Sequence, residues 1–220
     1  MTGMPLQEVG LWSAATAVRA TGGVSAVDWE ATGVSIDSRT VRKDDLFVAL
    51  SGPNFDGHDY VVKALKRGAS AALVSRRPDG IGEDVPLLEV SDTMSGLERL
   101  GIHGRQRTRA RIVAVTGSVG KTSVKDALAH ILGGQGSASY SYGSLNNHYG
   151  VPVSLARLPE SADYGVLELG MNHAGELARL SKMARPLVVI ITTVEPVHLE
   201  FFESVDDIAR AKAEIFDGLE

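Results

Sequence analysis

Cysteine is absent from the 220 residues of this chain. Its absence excludes disulfide bonds, thiolate metal sites and cysteine nucleophiles, and it is compatible with a reducing compartment. The sequence also lacks any apolar run near the roughly 20 residues that a membrane-spanning helix needs. Its N-terminus has no basic start, and Glu8 falls within the only apolar stretch there, so no signal peptide is predicted. We therefore expect a cytoplasmic protein with no membrane insertion.

An excess of positive charge is missing as well. Lysine and arginine together number 22, against 27 aspartate and glutamate residues, which gives a formal net charge of −5. A chain with this balance has no general attraction for nucleic acid or anionic membranes, so we expect no nucleic-acid partner. Any anion that it binds must be held by a local site.

Short apolar strands alternate with helical segments along the chain, a pattern typical of an α/β fold with a mostly parallel sheet. Residues 1–109 predict a small N-terminal α/β domain that opens with a helix over residues 5–21. Residues 110–220 predict a second domain with the strands "RIVAVTG", "YGVLELG" and "PLVVIITTV" and a glycine- and serine-rich loop, "GGQGSASYSYGSLNNHYG". Sheets of this kind bind ligands beyond the carboxyl ends of their strands. Three notable polar residues fall there: Lys121, Glu168 and His198.

The segment "IVAVTGSVGKTSVKDAL" combines a strand, a glycine-containing turn and a helix. The usual phosphate-binding loop, G-x-x-x-x-G-K-[ST], needs a glycine where this chain has Val115. The shorter loop still allows main-chain amides from Gly117 to Thr122 to converge on phosphate oxygens at a helix N-terminus. Lys121 adds a cation near the terminal phosphates, and the Thr122 hydroxyl is placed to hold Mg²⁺. The candidate nucleotide-binding residues are Thr116, Gly117, Ser118, Val119, Gly120, Lys121, Thr122 and Ser123.

Other interpretations of this loop stay open at this point. One is a structural strand-to-helix turn that carries a solvated lysine. Another is the nucleotide loop of a regulatory GTPase or a kinase. A GTPase is expected to carry Asn/Thr-Lys-x-Asp after a later strand, and the region "ITTVEPVHLE" has no such lysine and aspartate, which disfavours a switch protein.

Several motifs, in the same order along the chain, resemble the Mur ligases of peptidoglycan synthesis. They are "TGSVGKTS", "SYGSLNNHYGVPVSL", "VLELGMNHAGEL" and "ITTVEPVHLEFFESVDDIARAKAEIF". The phosphate loop of that family is T-G-x-x-G-K-T, which accounts for the missing first glycine. The stretch "GVSIDSRTVRKDDLFVALSGPNFDGHDYVVKALKRGASAALV" resembles the family's N-terminal domain, which holds the UDP end of the substrate.

Within the family, the chain is most similar to the enzymes that add D-alanyl-D-alanine to UDP-N-acetylmuramoyl-tripeptide. The resemblance implies a monomeric ligase that uses ATP and Mg²⁺ and forms an amide through an acyl-phosphate intermediate. Such ligases have a C-terminal domain that brings the amine substrate. We expect this domain to be absent here, the central sheet to be unfinished, and the 220 residues alone to be inactive. The alternatives are another ligase of the superfamily, such as one that adds glutamate to folate, and a non-catalytic nucleotide-binding module.

The resemblance also implies a catalytic role for four residues: Lys121, Glu168, His198 and Lys212. One Mg²⁺ is expected on Thr122 and Glu168. A second is expected on His198 and Lys212, and the lysine is implied to carry a carbamate formed with CO₂. Without the resemblance, Glu168 is an ordinary strand-end glutamate, His198 a structural histidine and Lys212 a solvated lysine beside apolar helix positions.

Four further residues are implied to contact the substrate. Asn146 and Asn147 are expected to position it, although asparagine serves turn chemistry equally well. In the first domain, Ser38 and Asn54 resemble uridine-binding positions.

The sequence departs from the family in the motif T-N-x-G-x-x-H. Thr193 stands where the family commonly has asparagine, and Glu195 stands where it has glycine. Because that asparagine is associated with contacts to the nucleotide base, the sequence does not predict how this chain contacts adenine.

Overall fold

The computed structural model describes residues 10–143, 145–196 and 201–220. The described chain divides into two compact units between His103 and Gly104. Each unit contains its own sheet, with helices packed against it. No helix in these described ranges is long and apolar enough to cross a membrane.

The first unit is built on a four-stranded parallel sheet. Its elements are β1 (Trp12–Ser13), α1 (Ala14–Thr21), β2 (Glu30–Ala31), β3 (Gly33–Ser35), β4 (Asp45–Val48), β5 (Ser51–Gly52), β6 (Phe55–Asp56), a 3-10 helix (Gly57–Tyr60), α2 (Val61–Lys66), β7 (Ala71–Val74), β8 (Leu87–Glu89) and α3 (Thr93–Arg107), within which the division falls. The strand order in the sheet is β3-β4-β7-β8. Every residue of β4 and β7 is buried, as expected for central strands of a parallel sheet.

The helix predicted over residues 5–21 is shorter than expected. Residues 5–9 lie outside the described part, and residues 10–13 are not helical, so the prediction is wrong there. The physical reason is the capping box at Ser13, whose hydroxyl accepts a hydrogen bond from the Thr16 amide while the Thr16 side chain bonds back to the Ser13 amide. The helix ends where Gly22 takes a left-handed conformation, with φ of 71°.

The second unit is also an α/β structure with a four-stranded parallel sheet. Its elements are β9 (Arg111–Thr116), α4 (Lys121–Gly133), β10 (Ala138–Tyr140), α5 (Gly150–Ala156), β11 (Tyr164–Glu168), α6 (Glu176–Ala184), β12 (Val188–Ile191), α7 (Val205–Ala213) and a 3-10 helix (Glu214–Gly218). The strand order is β10-β11-β9-β12, and all neighbours are parallel. The predicted fold class, α/β with parallel sheets, is therefore confirmed.

Apolar side chains cover both faces of this second sheet. A large buried cluster joins β9 and β11 to the helices through residues such as Ile112, Leu177 and Ile208. A smaller cluster of Val115, Val166 and residues of α4 covers the opposite face. Since the strands are parallel and adjacent, the carboxyl ends of β9, β11 and β12 lie side by side, which positions the residues that follow them.

The predicted elements do not include strand β10, which lies within the predicted glycine- and serine-rich loop, or helix α5, which begins at the last residue of that loop. This region contains the edge strand β10, in which Ala138 pairs with Tyr164, and the next residues lead into helix α5. Strand β10 has no sequence signal of its own, because it is three residues long and consists of small and polar residues besides one tyrosine. Helix α7 ends at Ala213, and the chain continues there as a 3-10 helix.

Helix packing at Gly104 gives the first prediction. A Cβ on Gly104 would collide with the main-chain oxygen of Leu155, whereas a Cβ on Gly133, at the end of α4, would meet no atom. We expect Gly104→Ala to lower the free energy of unfolding by about 2 kcal/mol, because overpacking outweighs the higher helix propensity of alanine. Gly133→Ala is the matched control and should raise it by a few tenths of a kcal/mol to about 1 kcal/mol. Urea unfolding followed by circular dichroism measures both, and equal effects would contradict the packing argument.

Candidate functional site

The carboxyl end of β11 presents a buried carboxylate. Glu168 is the last residue of that strand, and only 1% of its surface is exposed. The Thr122 hydroxyl, in the first turn of α4, donates a hydrogen bond to Glu168 Oε2 at 2.9 Å. The Asn146 amide nitrogen donates to Oε1 at 2.7 Å. The structure therefore brings together three residues that the sequence singled out separately.

The charge of this carboxylate has no basic partner in the described part of the chain. Both oxygens of Glu168 accept hydrogen bonds from neutral groups, Thr122 and Asn146. Burying a carboxylate without a compensating cation is costly. Carboxylate and hydroxyl oxygens are the ligands that hard divalent cations such as Mg²⁺ prefer. The donor set thus fits Mg²⁺, although no cluster of three acidic, histidine or cysteine residues occurs among the described residues.

The phosphate loop adjoins this carboxylate. Gly117 and Gly120 have positive φ angles of 148° and 82°, a region that favours glycine. A Cβ on Gly117 would in addition strike the side chain of Thr192. Helix α4 begins directly after Gly120 with no side-chain cap from the described residues. The amides of its first turn are therefore available to an anion, and the helix dipole favours one.

Lys121 folds back over the loop. Its ammonium donates to the Gly117 carbonyl oxygen at 2.8 Å and lies 3.5 Å from that of Ser118. It is therefore held at the loop by main-chain carbonyls and forms no ion pair with a carboxylate of the described residues. An arriving phosphate would offer the same ammonium a charged acceptor, which forms a stronger hydrogen bond than a neutral carbonyl does.

The loop that follows β12 packs against the phosphate loop. The Ser118 amide donates to the Thr193 carbonyl at 2.9 Å, and the Val119 amide donates to the Thr193 hydroxyl at 3.3 Å. These two amides of the loop are therefore paired with the segment that follows β12. Ser118 also exchanges hydrogen bonds with the main chain of Glu195, at 2.9 and 3.2 Å. The two residues that depart from the family pattern, Thr193 and Glu195, thus lie against this loop.

Thr192 is a site residue that the sequence argument missed. Its hydroxyl donates to the carbonyl oxygens of Val119, at 2.5 Å, and of Thr116, at 3.3 Å. The sequence signal for Thr192 was its position directly after β12, the strand that pairs with β9. Its place as the first residue of the motif T-N-x-G-x-x-H was a second signal, but its contacts with the loop become visible only in the fold.

Lys212 is buried in α7, with 2% of its surface exposed. Burial, and to a smaller extent the positive charge of Lys121, lowers its pKa to about 8. The prediction that Lys212 is a solvated lysine in the absence of a special role is therefore wrong. His198, its predicted co-ligand, lies outside the described residues.

The predicted substrate residues have different surroundings. The Asn147 side-chain oxygen accepts hydrogen bonds from the amides of Tyr149 and Gly150, at 3.1 and 3.0 Å, and so shapes the start of α5. Ser38 is buried in the first unit. Asn54 is exposed in the turn between β5 and β6. Their roles toward a substrate stay predictions.

Two family profiles match this chain. One, described as the Mur ligase family catalytic domain, matches residues 30–108. The other, the Mur ligase middle domain, matches residues 115–220. Together they account for most of the described chain.

Curated proteins and solved structures similar to this chain carry related names. The UDP-N-acetylmuramoyl-tripeptide–D-alanyl-D-alanine ligase of Escherichia coli (strain K12) is 44% identical over 90% of this chain and 43% of its own length. That of Rickettsia prowazekii (strain Madrid E) is 39% identical over 83% of this chain and 40% of its own length. A crystal structure of MurF from Acinetobacter baumannii has a TM-score of 0.83, with 34% identity over 99% of this chain and 48% of that one.

A further solved structure is described as the MurF ligase of Thermotoga maritima in complex with ADP. Its TM-score is 0.70, with 32% identity over 86% of this chain and 43% of that chain. The chain thus spans about two-fifths of the length of the curated relatives it matches.

The pKa of Lys212 gives the second prediction. Between pH 8 and 10.5 the unfolded chain binds a proton that the folded chain has released, so the free energy of unfolding rises with pH across this window. Below pH 8 the folded state carries the full cost of the buried ammonium. We expect Lys212→Met to be more stable than the unchanged chain at pH 7 by roughly 2–3 kcal/mol, and this difference to shrink toward pH 10.

Urea unfolding in CO₂-free buffers from pH 7 to 10 measures this difference. Lys182→Met is the matched control, because Lys182 is largely exposed and pairs with Asp217 at 3.6 Å. It should show no comparable dependence on pH. A stability difference for Lys212→Met that stays constant from pH 7 to 10 would contradict the assignment.

Proposed function

This chain belongs to the Mur ligase family, and on that premise we propose that it forms the UDP-substrate-binding and ATP-binding parts of a ligase. The reaction is the addition of D-alanyl-D-alanine to UDP-N-acetylmuramoyl-tripeptide in peptidoglycan synthesis. The observation that carries the proposal is the buried carboxylate of Glu168, held by Thr122 and Asn146 beside an uncapped helix N-terminus. The proposal includes domain limits of 1–109 and 110–220, a monomeric state and a cytoplasmic location.

The nucleotide site is proposed at the N-terminus of α4. The amides of its first turn donate hydrogen bonds to the phosphate oxygens, and Lys121 exchanges its carbonyl partners for the terminal phosphates. The relative from Thermotoga maritima, described in complex with ADP, supports a nucleotide as the ligand. Since Thr193 and Glu195 lie against the loop, we assign adenine contacts to the segment that contains them.

Mg²⁺ would be held by the Thr122 hydroxyl and the Glu168 carboxylate, with His198 and a modified Lys212 as the proposed ligands of a second ion. When bound, the cation supplies positive charge that neutralises the phosphate oxygens. The part of this chain is to fix the ligands: the α4 N-terminus places Thr122, and β11 places Glu168. Asn146 orients the carboxylate through Oε1, which leaves its negative charge directed at the phosphate side.

The proposed chemistry has two steps. The substrate carboxylate attacks the γ-phosphorus of ATP, which releases ADP and gives an acyl phosphate. The amine of D-alanyl-D-alanine then attacks the acyl carbon, and the tetrahedral intermediate expels inorganic phosphate and a proton to leave the amide. The protein contributes by positioning the reactants and neutralising charge, as in other phosphoryl transfers. Lys121 meets the charge that develops on the transferred group.

A carbamate on Lys212 is part of the proposal. Carbamate formation needs the neutral amine, and a pKa of about 8 leaves roughly a tenth of the lysine neutral at pH 7. The amine attacks CO₂ and loses a proton, so a cation becomes an anion. Because Lys121 disfavours a positive charge on Lys212, the same neighbour would favour the carbamate. The buried position of Lys212 is consistent with protection of that group.

The third prediction tests the nucleotide site on the chain itself. Isothermal titration with ADP, with and without Mg²⁺, should show binding that Mg²⁺ strengthens. Lys121→Met should weaken binding at least tenfold, about 1.4 kcal/mol, because a charge-assisted contact is lost. Glu168→Gln keeps the shape of the side chain and should abolish only the gain due to Mg²⁺. Lys182→Met, an exposed lysine in the same unit, is the control and should bind normally.

The reaction itself is tested on the complete protein that contains these residues. Supplied with UDP-N-acetylmuramoyl-tripeptide and D-alanyl-D-alanine, it should release phosphate from ATP, and Lys121→Ala should abolish this release. Undiminished turnover by the variant would reject the site. Nucleotide binding without any ligation would indicate a binding module, and turnover with glutamate and folate would indicate another ligase of the superfamily.

A further inference from the structure

A second lysine of α4, Lys125, is buried and has no part in the site as described so far. Only 2% of its surface is exposed. Its ammonium donates to the Ser141 carbonyl oxygen at 3.0 Å and to that of Gly143 at 3.3 Å. The third contact is an ion pair with the half-exposed carboxylate of Asp126 at 3.1 Å. An ammonium has three donors, so these three acceptors satisfy it.

These contacts separate Lys125 from the phosphate-binding lysine one turn earlier. Lys121 lies at the loop and can exchange its carbonyl partners for a phosphate. The Lys125 ammonium is instead committed to the chain that follows β10. Burying an ammonium is unfavourable unless its hydrogen bonds are made, so both carbonyls are tied to the position of this lysine.

The segment that Lys125 holds leads to the carboxylate of the proposed metal site. The Ser141 hydroxyl accepts a hydrogen bond from the Glu168 amide at 3.2 Å, and the Ser141 amide donates to Val166 at 3.0 Å. Five residues after Ser141, Asn146 donates to Glu168 Oε1 at 2.7 Å and its carbonyl accepts from the Gly170 amide at 2.7 Å. Main chain and side chain of Glu168 are thus both bonded to this segment.

Helix α4 therefore reaches Glu168 by two routes. Thr122 contacts one carboxylate oxygen directly. Lys125 fixes the segment whose Asn146 contacts the other oxygen. Helix α4 therefore orients both oxygens of Glu168. Because its N-terminus is proposed to hold the phosphates, the helix also fixes the position of this carboxylate relative to the proposed phosphate site.

We propose that Lys125 is a positioning residue: its buried ammonium fixes the carbonyls of Ser141 and Gly143, shortly before Asn146, and thereby orients Glu168 toward the cation that accompanies the nucleotide. The inference rests on the proposed function of Glu168. The inference predicts that loss of the Lys125 ammonium loosens this segment even without ligand. It also predicts that the gain in nucleotide affinity due to Mg²⁺ falls more than the affinity measured without Mg²⁺.

The fourth prediction uses Lys125→Met, with Lys182→Met as the control of equal charge change at an exposed position. Hydrogen exchange of the chain without nucleotide or metal should be at least tenfold faster for amides of residues 141–143 and 145–147 in Lys125→Met, with β9 unchanged. Titration with ADP should show that the affinity gain due to Mg²⁺ falls at least fivefold, while affinity without Mg²⁺ stays within twofold. Lys182→Met should match the unchanged chain in both measurements.

A second variant keeps the test decisive if Lys125→Met does not fold. Ser141→Ala leaves the carbonyl contacts of Lys125 but removes the acceptor of the Glu168 amide, and it should reduce the gain due to Mg²⁺ at least threefold. Unchanged exchange in Lys125→Met, or an unchanged gain in either folded variant, overturns the inference. If the unchanged chain shows no gain with Mg²⁺, the proposed function fails instead, and hydrogen exchange alone decides whether Lys125 holds the segment.

Discussion

The buried negative charge of Glu168 is the constraint on which the second unit depends. A carboxylate with 1% of its surface exposed needs hydrogen bonds to both oxygens, and it receives them from the first turn of a helix and from a loop. Both carboxylate oxygens therefore accept a hydrogen bond, but neither donor carries a positive charge to compensate the negative charge of Glu168. Parallel strands produce this geometry, because β11 and β9 end side by side and direct Glu168 and the phosphate loop to the same edge of the sheet.

Positive charge is distributed around this carboxylate without neutralising it. Lys121 rests on main-chain carbonyls of its own loop, and Lys125 is committed to Ser141 and Gly143. Lys212 is buried near enough to Lys121 for the two charges to repel, which helps to lower its pKa. Among the described residues, none of these three lysines pairs with Glu168.

Sequence reasoning predicted the parts of this site that depend on local order. The run of strand, glycine turn and helix was sufficient to identify Lys121 and Thr122, and the apolar run before Glu168 placed it at a strand end. The sequence did not predict the hydrogen bond from Asn146 to Glu168, because this contact joins an irregular loop to a strand 22 residues away. Lys125 gave no signal, since its acceptors are carbonyls, which every residue possesses. Thr193 was noticed only as a departure from a pattern, and its hydrogen bonds with the Ser118 and Val119 amides became visible only in the fold.

One helix, α4, supplies Lys121, Thr122 and Lys125, and this has a consequence for heat resistance. The first turns of this helix carry both the proposed ligand contacts and the anchor of the neighbouring loop, so unfolding of these turns would disrupt both. Occupancy of the site and the cooperative melting of this unit are therefore linked by mass action. A saturating nucleotide would protect the sheet edge from thermal opening by a free energy that grows with the logarithm of its concentration.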